Sequence, residues 1–377
     1  MSKPLGQVHE PLIRIAKRDN MPPAKAWAIR LGAVALSLVV SGILIYMITG
    51  LNPIKVYSRM IFGAFGSERK VWYTLRDTMF LLCISLGLAP AFKMRFWNIG
   101  AEGQVLVGGI ATAACMRYFA NIPTPALFAL MIVVSLAAGA VWGLIPAVFK
   151  SVWNTNETLF TLMMNYIAIQ LTSFCVSLWE NTYGSNSVGI INTSTRAGWF
   201  PEIFGQQYAL NVIIVLALAV VMYFYLRYSK HGYEIAVVGE SENTARYAGI
   251  NVSKVFIRTM LLSGAIGGLA GFIAVSGASH TISTSTAGGN GFTAIIIAWL
   301  SKFNPFVMII FSVLLVFLDK GAIQIASDFN LNSYASEMIC GIILFFILGG
   351  EFFINYRIIP RKAHKNVPPA VKEAAEA

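Results

Sequence analysis

Charge is what this chain lacks. Of its 377 residues, 12% are Asp, Glu, Lys or Arg, roughly half of the 25% carried by an ordinary soluble domain. With 56% hydrophobic residues and a mean hydropathy of +0.67, too little polar surface exists to cover a water-soluble globule. That excludes a cytosolic enzyme, a disordered regulator and a disulfide-rich secreted domain. Cysteine is scarce as well. Cys83, Cys115, Cys175 and Cys340 fall in or beside apolar stretches without CxxC spacing, which indicates neither a disulfide framework nor a metal site. His9, His231, His280 and His364 are scattered, with no HExxH pattern. No Gly-Lys dipeptide occurs, so the chain has no P-loop with which to cradle a nucleotide. No catalytic set and no metal ligands are assigned, and any ATP must be hydrolysed by another chain. An integral membrane protein is the class that remains.

What is present is a succession of apolar runs. Crossing about 30 Å of hydrocarbon takes about 20 helical residues, and runs of that length lie near 27–49, 72–92, 99–119, 124–148, 157–179, 208–226, 255–278, 304–320 and 335–355. A shorter run, Phe292 to Leu300, precedes Asn304-Pro305 and suits a half-helix or re-entrant element. Counting it gives an all-α, polytopic protein of ten spans. The net charge of +11 comes from Lys and Arg at the two ends and in short connections, not from a basic stripe of the kind that binds nucleic acid. With both termini cytoplasmic, most of these cations fall inside, as the positive-inside rule requires.

The predicted organisation is a basic tail over 1–26, a transmembrane domain over 27–357 with a cytoplasmic loop at 227–254, and a polar tail over 358–377. The 51–73 connection carries Lys55, Arg59, Arg69 and Lys70 on the predicted outer side. Ile54, Tyr57, Ile61 and Phe65 share one helical face there, which predicts an interfacial amphipathic helix. Pro4, Pro11, Pro22 and Pro23 lie among the first basic residues, unlike a signal peptide, so the first apolar run is read as a retained helix.

Five constellations stand out. In the 227–254 loop, Ser241 is a good N-cap and Gly249 a good residue to follow a helix end, which brackets a two-turn helix from Glu242 to Ala248. Glu242 and Arg246 form an i,i+4 pair. A helix this short is marginal alone, so it docks either on a partner or on the chain's own loops. Asn98, Glu102 and Gln104 enter a span among Gly100, Gly103, Gly108 and Gly109. They read as a substrate pathway or as a hydrogen-bonded packing knot. Asn156 and Glu157 open the fifth span, with Asn165 two turns further in, where an amide needs partners. Gly264/Gly268 and Gly267/Gly271 make overlapping GxxxG pairs, a helix-packing face. The small polar segment Ser283 to Gly291, with Asn290, is either a broken helix facing a cavity or an outer loop. The candidate pathway residues are therefore Asn98, Glu102, Gln104, Asn165 and Asn290. Acids within the runs are few (Asp77, Glu102, Asp319, Glu337), and three sit near span ends. That argues against an ion-coupled secondary transporter, the rival class.

Taken in order, Asn98-Ile-Gly-Ala-Glu-Gly-Gln104, Asn156-Glu157, Met163-Met-Asn-Tyr166, Gly232-Tyr-Glu234, Val238-Gly-Glu240 and Ala245-Arg-Tyr-Ala-Gly-Ile250 resemble the permease subunits of bacterial ABC importers for nucleosides and simple sugars. Gly50-Leu-Asn-Pro-Ile-Lys-Val-Tyr57 and Gly63-Ala-Phe-Gly66 look similar too. The resemblance implies a pathway formed with a second permease, alike or related. It implies a cytoplasmic ABC ATPase that uses ATP and Mg2+, a lipoprotein or periplasmic solute-binding protein, and residence in the bacterial plasma membrane. It implies no cofactor on this chain, and a nucleoside as solute with a ribose-like sugar as the alternative. Ser241, Glu242, Asn243, Arg246 and Tyr247 would then form the coupling helix. One departure is Ala298-Trp-Leu-Ser-Lys-Phe-Asn304, where the family often has a Gly-rich segment; bulky Trp299 and Lys302 would narrow or reshape the pathway.

Overall fold

The computed structural model describes residues 13–18, 21–203 and 205–360. Its elements run β1 (Ile13–Lys17), α1 (Pro23–Thr49), α2 (Pro53–Phe65), α3 (Glu68–Lys93), α4 (Ala101–Tyr118), α5 (Thr124–Trp153), α6 (Glu157–Trp179) and α7 (Ala209–Tyr228). They continue with α8 (Lys230–Glu240), α9 (Glu242–Tyr247), α10 (Val252–Ala274), a π-helical turn (Val275–Ser279), α11 (Asn290–Leu300), α12 (Pro305–Asp328), α13 (Ser333–Asn355) and β2 (Tyr356–Pro360). Helix starts follow the side chains that can cap them: Ser67, Asn156, Ser229, Ser241 and Asn251 each accept a backbone N–H from the first turn.

Eight of these helices are long and apolar enough to cross a membrane: α1, α3, α5, α6, α7, α10 with its π turn, α12 and α13. The two further crossings counted from the sequence are α4 and the 11-residue α11. α4 has 18 residues, about 27 Å of rise, yet most of its length is buried in protein. A helix so enclosed can carry Glu102, Gln104 and small residues where a lipid-facing one could not.

The chain divides into two compact units. One combines the stretch ending at Tyr57 with the stretch beginning at Leu331. Here α1 packs on α13, Arg30 Nε lies 2.6 Å from Glu351 Oε1, and Tyr57 donates to Leu38 O at 2.6 Å. β1 and β2 pair antiparallel with Ile15 opposite Ile358. β1 falls in the predicted 1–26 tail and β2 straddles the predicted 357/358 boundary, and the sequence had indicated no strand in either. The remainder of those tails, 1–12 and 361–377, lies outside the described residues.

The other unit is Ser58–Asn330, with α10 at its centre against α3, α4 and α5. Its glycines make this possible. A Cβ on Gly268 would fall on the carbonyl of Ser135 in α5, and one on Gly264 would fall on that of Gly139. The two backbones touch, as expected of a small-residue packing face. α2 is helical as the sequence predicted; Ile54, Ile61 and Phe65 of its apolar face are exposed, consistent with the expected interfacial helix, while Val56, Met60 and Ala64 are buried.

Candidate functional site

α10 does not end as an ordinary helix. It widens into a π turn, His280 follows with a positive φ of 54°, and the chain runs irregularly to the left-handed Gly288 and Gly289 before α11 begins. Such a break is tolerated at membrane depth where it lines protein or a cavity. The sequence had left Ser283 to Gly291 open between a broken helix and an outer loop. Ser283, Ser285, Thr286 and Asn290 line a cavity of about 510 Å3. Its far walls come from Arg76, Asp77 and Phe80 of α3 and from Leu315 and Asp319 of α12.

Asp77 in that wall is paired on both oxygens. Asp77 Oδ1 accepts from Arg76 Nε at 2.7 Å, and Asp77 Oδ2 lies 2.5 Å from Lys320 Nζ on α12. Asp77, one of the acids considered for ion coupling, therefore clamps α3 to α12. Beside that pair the cavity offers a solute the hydroxyls of Ser283, Ser285, Thr286 and Thr293, the amides of Asn211 and Asn290 and the carboxyl of Asp319. These are set among Phe80, Leu81, Ile273 and Val316, the mix of apolar wall and few polar groups found in small-molecule sites.

Of the five candidate pathway residues, Asn290 lines this cavity, its Nδ2 donating to Ala287 O at 2.9 Å. Glu102 is buried, and its Oε1 accepts from Gly291 N at 2.9 Å. A carboxylate is thus placed on the first turn of α11, where the helix dipole favours it. Gly291 is needed for this approach, because a Cβ there would meet the Glu102 side chain at 2.9 Å. Asn98, Gln104 and Asn165 gather around the α3–α4 connection. Asn98 donates to Ser263 Oγ at 3.0 Å and accepts from Gly100 N at 3.0 Å and from Gln104 Nε2 at 3.4 Å. Asn165 accepts from Gly103 N and donates to Ile99 O, both at 2.8 Å. These amides pin the start of α4 to α6 and α10, and so set the end of α11 that borders the cavity.

At the opposite end of α3, α8 packs so closely that a Cβ on Gly239 would fall on Lys93 O. His231 joins α8 to α7 through the Tyr225 hydroxyl and to α10 through Thr259 Oγ1 at 3.3 Å. α9 follows with both of its predicted ends in place. Ser241 Oγ accepts from Thr244 N at 3.2 Å. Gly249 takes φ 76°, with Gly249 N bonding Arg246 O and Ile250 N bonding Ala245 O. That pair of bonds is the Schellman arrangement. Within α9 only Ala245 is buried; Arg246 and Tyr247 are exposed, and Glu242 lies 3.8 Å from Arg246.

Residues 71–348 match the family described as branched-chain amino acid transport system, permease component. The chain belongs to this permease family. The permease is 31% identical to a guanosine ABC transporter permease of Bacillus subtilis, over 84% of this chain and 91% of that one. A nucleoside ABC transporter permease of Lactococcus lactis subsp. cremoris is 27% identical over 89% of this chain and 94% of its own. A glucose ABC transporter permease of Haloferax volcanii is 26% identical, with 92% and 93% covered. In the permease, the residues missed from sequence were Arg76, Phe80 and Lys320. A cation beside Asp77 was visible, but nothing local announced that Lys320, far along the chain, closes the pair.

Proposed function

We propose that the permease forms part of the translocation pathway of an ATP-driven importer for nucleosides, with the 510 Å3 cavity as a segment of that pathway. The observation that carries the reading is the wall: hydroxyls, Asn211, Asn290 and Asp319 among apolar side chains such as Phe80, with Asp77 already paired with Arg76 and Lys320. A neutral, hydroxylated solute passes such a wall without leaving a buried charge unpaired, and the volume lies within the roughly 300–1,000 Å3 of small-molecule sites. Two relatives named for guanosine and nucleosides support the solute class. The relative named for glucose favours a simple sugar as the second reading.

In this proposal α9 is the coupling helix. Glu242, Asn243, Arg246 and Tyr247 face an ABC ATPase that binds ATP and Mg2+, and Ser241 fixes the helix start. A second permease, alike or related, completes the pathway, and a lipoprotein or periplasmic binding protein delivers the solute. The chain sits in the plasma membrane with α8, α9 and both termini on the cytoplasmic side. Asn98, Glu102, Gln104 and Asn165 act on the solute through the position of α11. Reconstitution with ATPase and binding protein tests the proposal. Guanosine uptake that follows ATP and survives a protonophore is the expected result. Uptake abolished by the protonophore at constant ATP, or absent for every nucleoside, overturns it.

A further inference from the structure

A second cavity lies at the other end of α3, 17 residues or about 25 Å along the helix from Arg76. Its volume is about 170 Å3, and three cations from three separate elements line it: Lys93 at the end of α3, Arg227 near the end of α7, and Lys302 between α11 and α12. None of the residues lining it is acidic. Arg227 is held in place, its Nη1 donating to Tyr223 Oη at 2.9 Å and its guanidinium lying 5.8 Å from the rings of both Tyr223 and Tyr228. Lys93 Nζ donates to Leu226 O at 3.2 Å. Asn304, also in the lining, caps the 24-residue α12, so the positive end of that helix dipole adds to the cations.

Neighbouring aromatic rings set the depth. Trp97 and Trp299 lie 5.8 Å apart, and Trp299 also meets Phe92 and Phe303. Trp97, Trp299 and Phe306 are each nearly half exposed. Exposed tryptophans beside lysine and arginine are the mark of the headgroup level of a bilayer. A helix-end role accounts for each cation singly. It does not account for three converging on one cavity beside an opposing helix start.

We infer that this pocket binds the phosphate of an anionic phospholipid headgroup, held by Lys93, Arg227 and Lys302 at the membrane face bearing α8 and α9. The inference rests on the proposed orientation only for naming that face cytoplasmic. Lys302 and Trp299, expected from the sequence to narrow or reshape the solute pathway, then serve lipid recognition and not the solute.

The test is lipid retention by the purified full-length permease in native mass spectrometry. The probes are palmitoyl-oleoyl phosphatidylglycerol, the corresponding phosphatidylcholine, and inorganic phosphate. The expected result is selective retention of phosphatidylglycerol that phosphate does not displace. Arg227→Gln with Lys302→Gln weakens it, by about fivefold for each cation removed, at unchanged helical content. Lys302→Gln alone reads a single step should the pair not fold, and Arg69→Gln on α3 serves as the control that changes nothing. Equal retention of both lipids, or selectivity that survives removal of the cations, overturns the inference. So does displacement by phosphate, which would make the pocket a free-anion site.

Discussion

The middle of α10 and the π turn at its end are both built from small residues, to opposite purposes. In the middle, Gly264 and Gly268 let α10 meet the α5 backbone with no space between. At the end, Ala278 and Ser279 of the π turn border a cavity of about 510 Å3. The difference lies in what stands opposite. Gly139 and Gly143 of α5 match the first pair, whereas the irregular chain after His280 leaves the second region open. Small residues facing small residues bring two helix backbones into contact, whereas small residues facing an irregular segment leave room between them.

The strongest way to break that comparison is to add volume to the packed half. Gly268→Val should cost about 3 kcal/mol, the upper range for overpacking, and abolish monodisperse folded protein in size-exclusion chromatography. Thr293→Val, in the cavity lining, should stay within about 0.5 kcal/mol of wild type in thermal unfolding while slowing uptake. Equal damage from both would erase the distinction.

Next in size is Asp77→Asn, which leaves Arg76 and Lys320 without their shared anion. These side chains are about a quarter exposed, so a cost of about 1–2 kcal/mol is expected, between surface and buried ion pairs. Adding Lys320→Met should recover part of it in a double-mutant cycle. Glu102→Gln should follow at about 1 kcal/mol, read as faster amide exchange at Gly291 and the next turn of α11, with α5 and α10 unchanged.

The smallest effect concerns the first turns of α10, where His231 meets Thr259. Burial holds the His231 imidazole below its ordinary proton affinity, Arg258 acts in the same direction, and Glu234 opposes them. The folded state then binds this proton less readily than the unfolded one. Its contribution is level above about pH 6.5 and turns unfavourable as pH falls below that value. His231→Gln should flatten that part of the acid limb in thermal unfolding.

Local signals were legible. Ser241 and Gly249 marked both ends of α9, the glycine pairs of α10 marked its packing face, and the apolar runs located the long helices. What escaped depends on distance along the chain. Asp77 was noticed as an acid in a span, but its closure by Lys320 required α3 and α12 to be side by side. The π turn has no sequence signature. On α2 the apolar stripe was found, and its Ile54, Ile61 and Phe65 are exposed, as an interfacial helix would have them; what was not named is the packed side, Val56, Met60 and Ala64. In a membrane, lipid is as apolar as any core, so the interior face is chosen by close packing and not by hydropathy.

The central claim is that the hydroxyl-lined cavity is the solute's route, and a cysteine at position 293 tests it most directly. The half-buried Cys175 and Cys340 are first replaced by alanine in the complete transporter. The account predicts that an impermeant maleimide on Thr293→Cys stops ATP-dependent guanosine uptake, and that guanosine slows the labelling. Full labelling with undiminished uptake would contradict it.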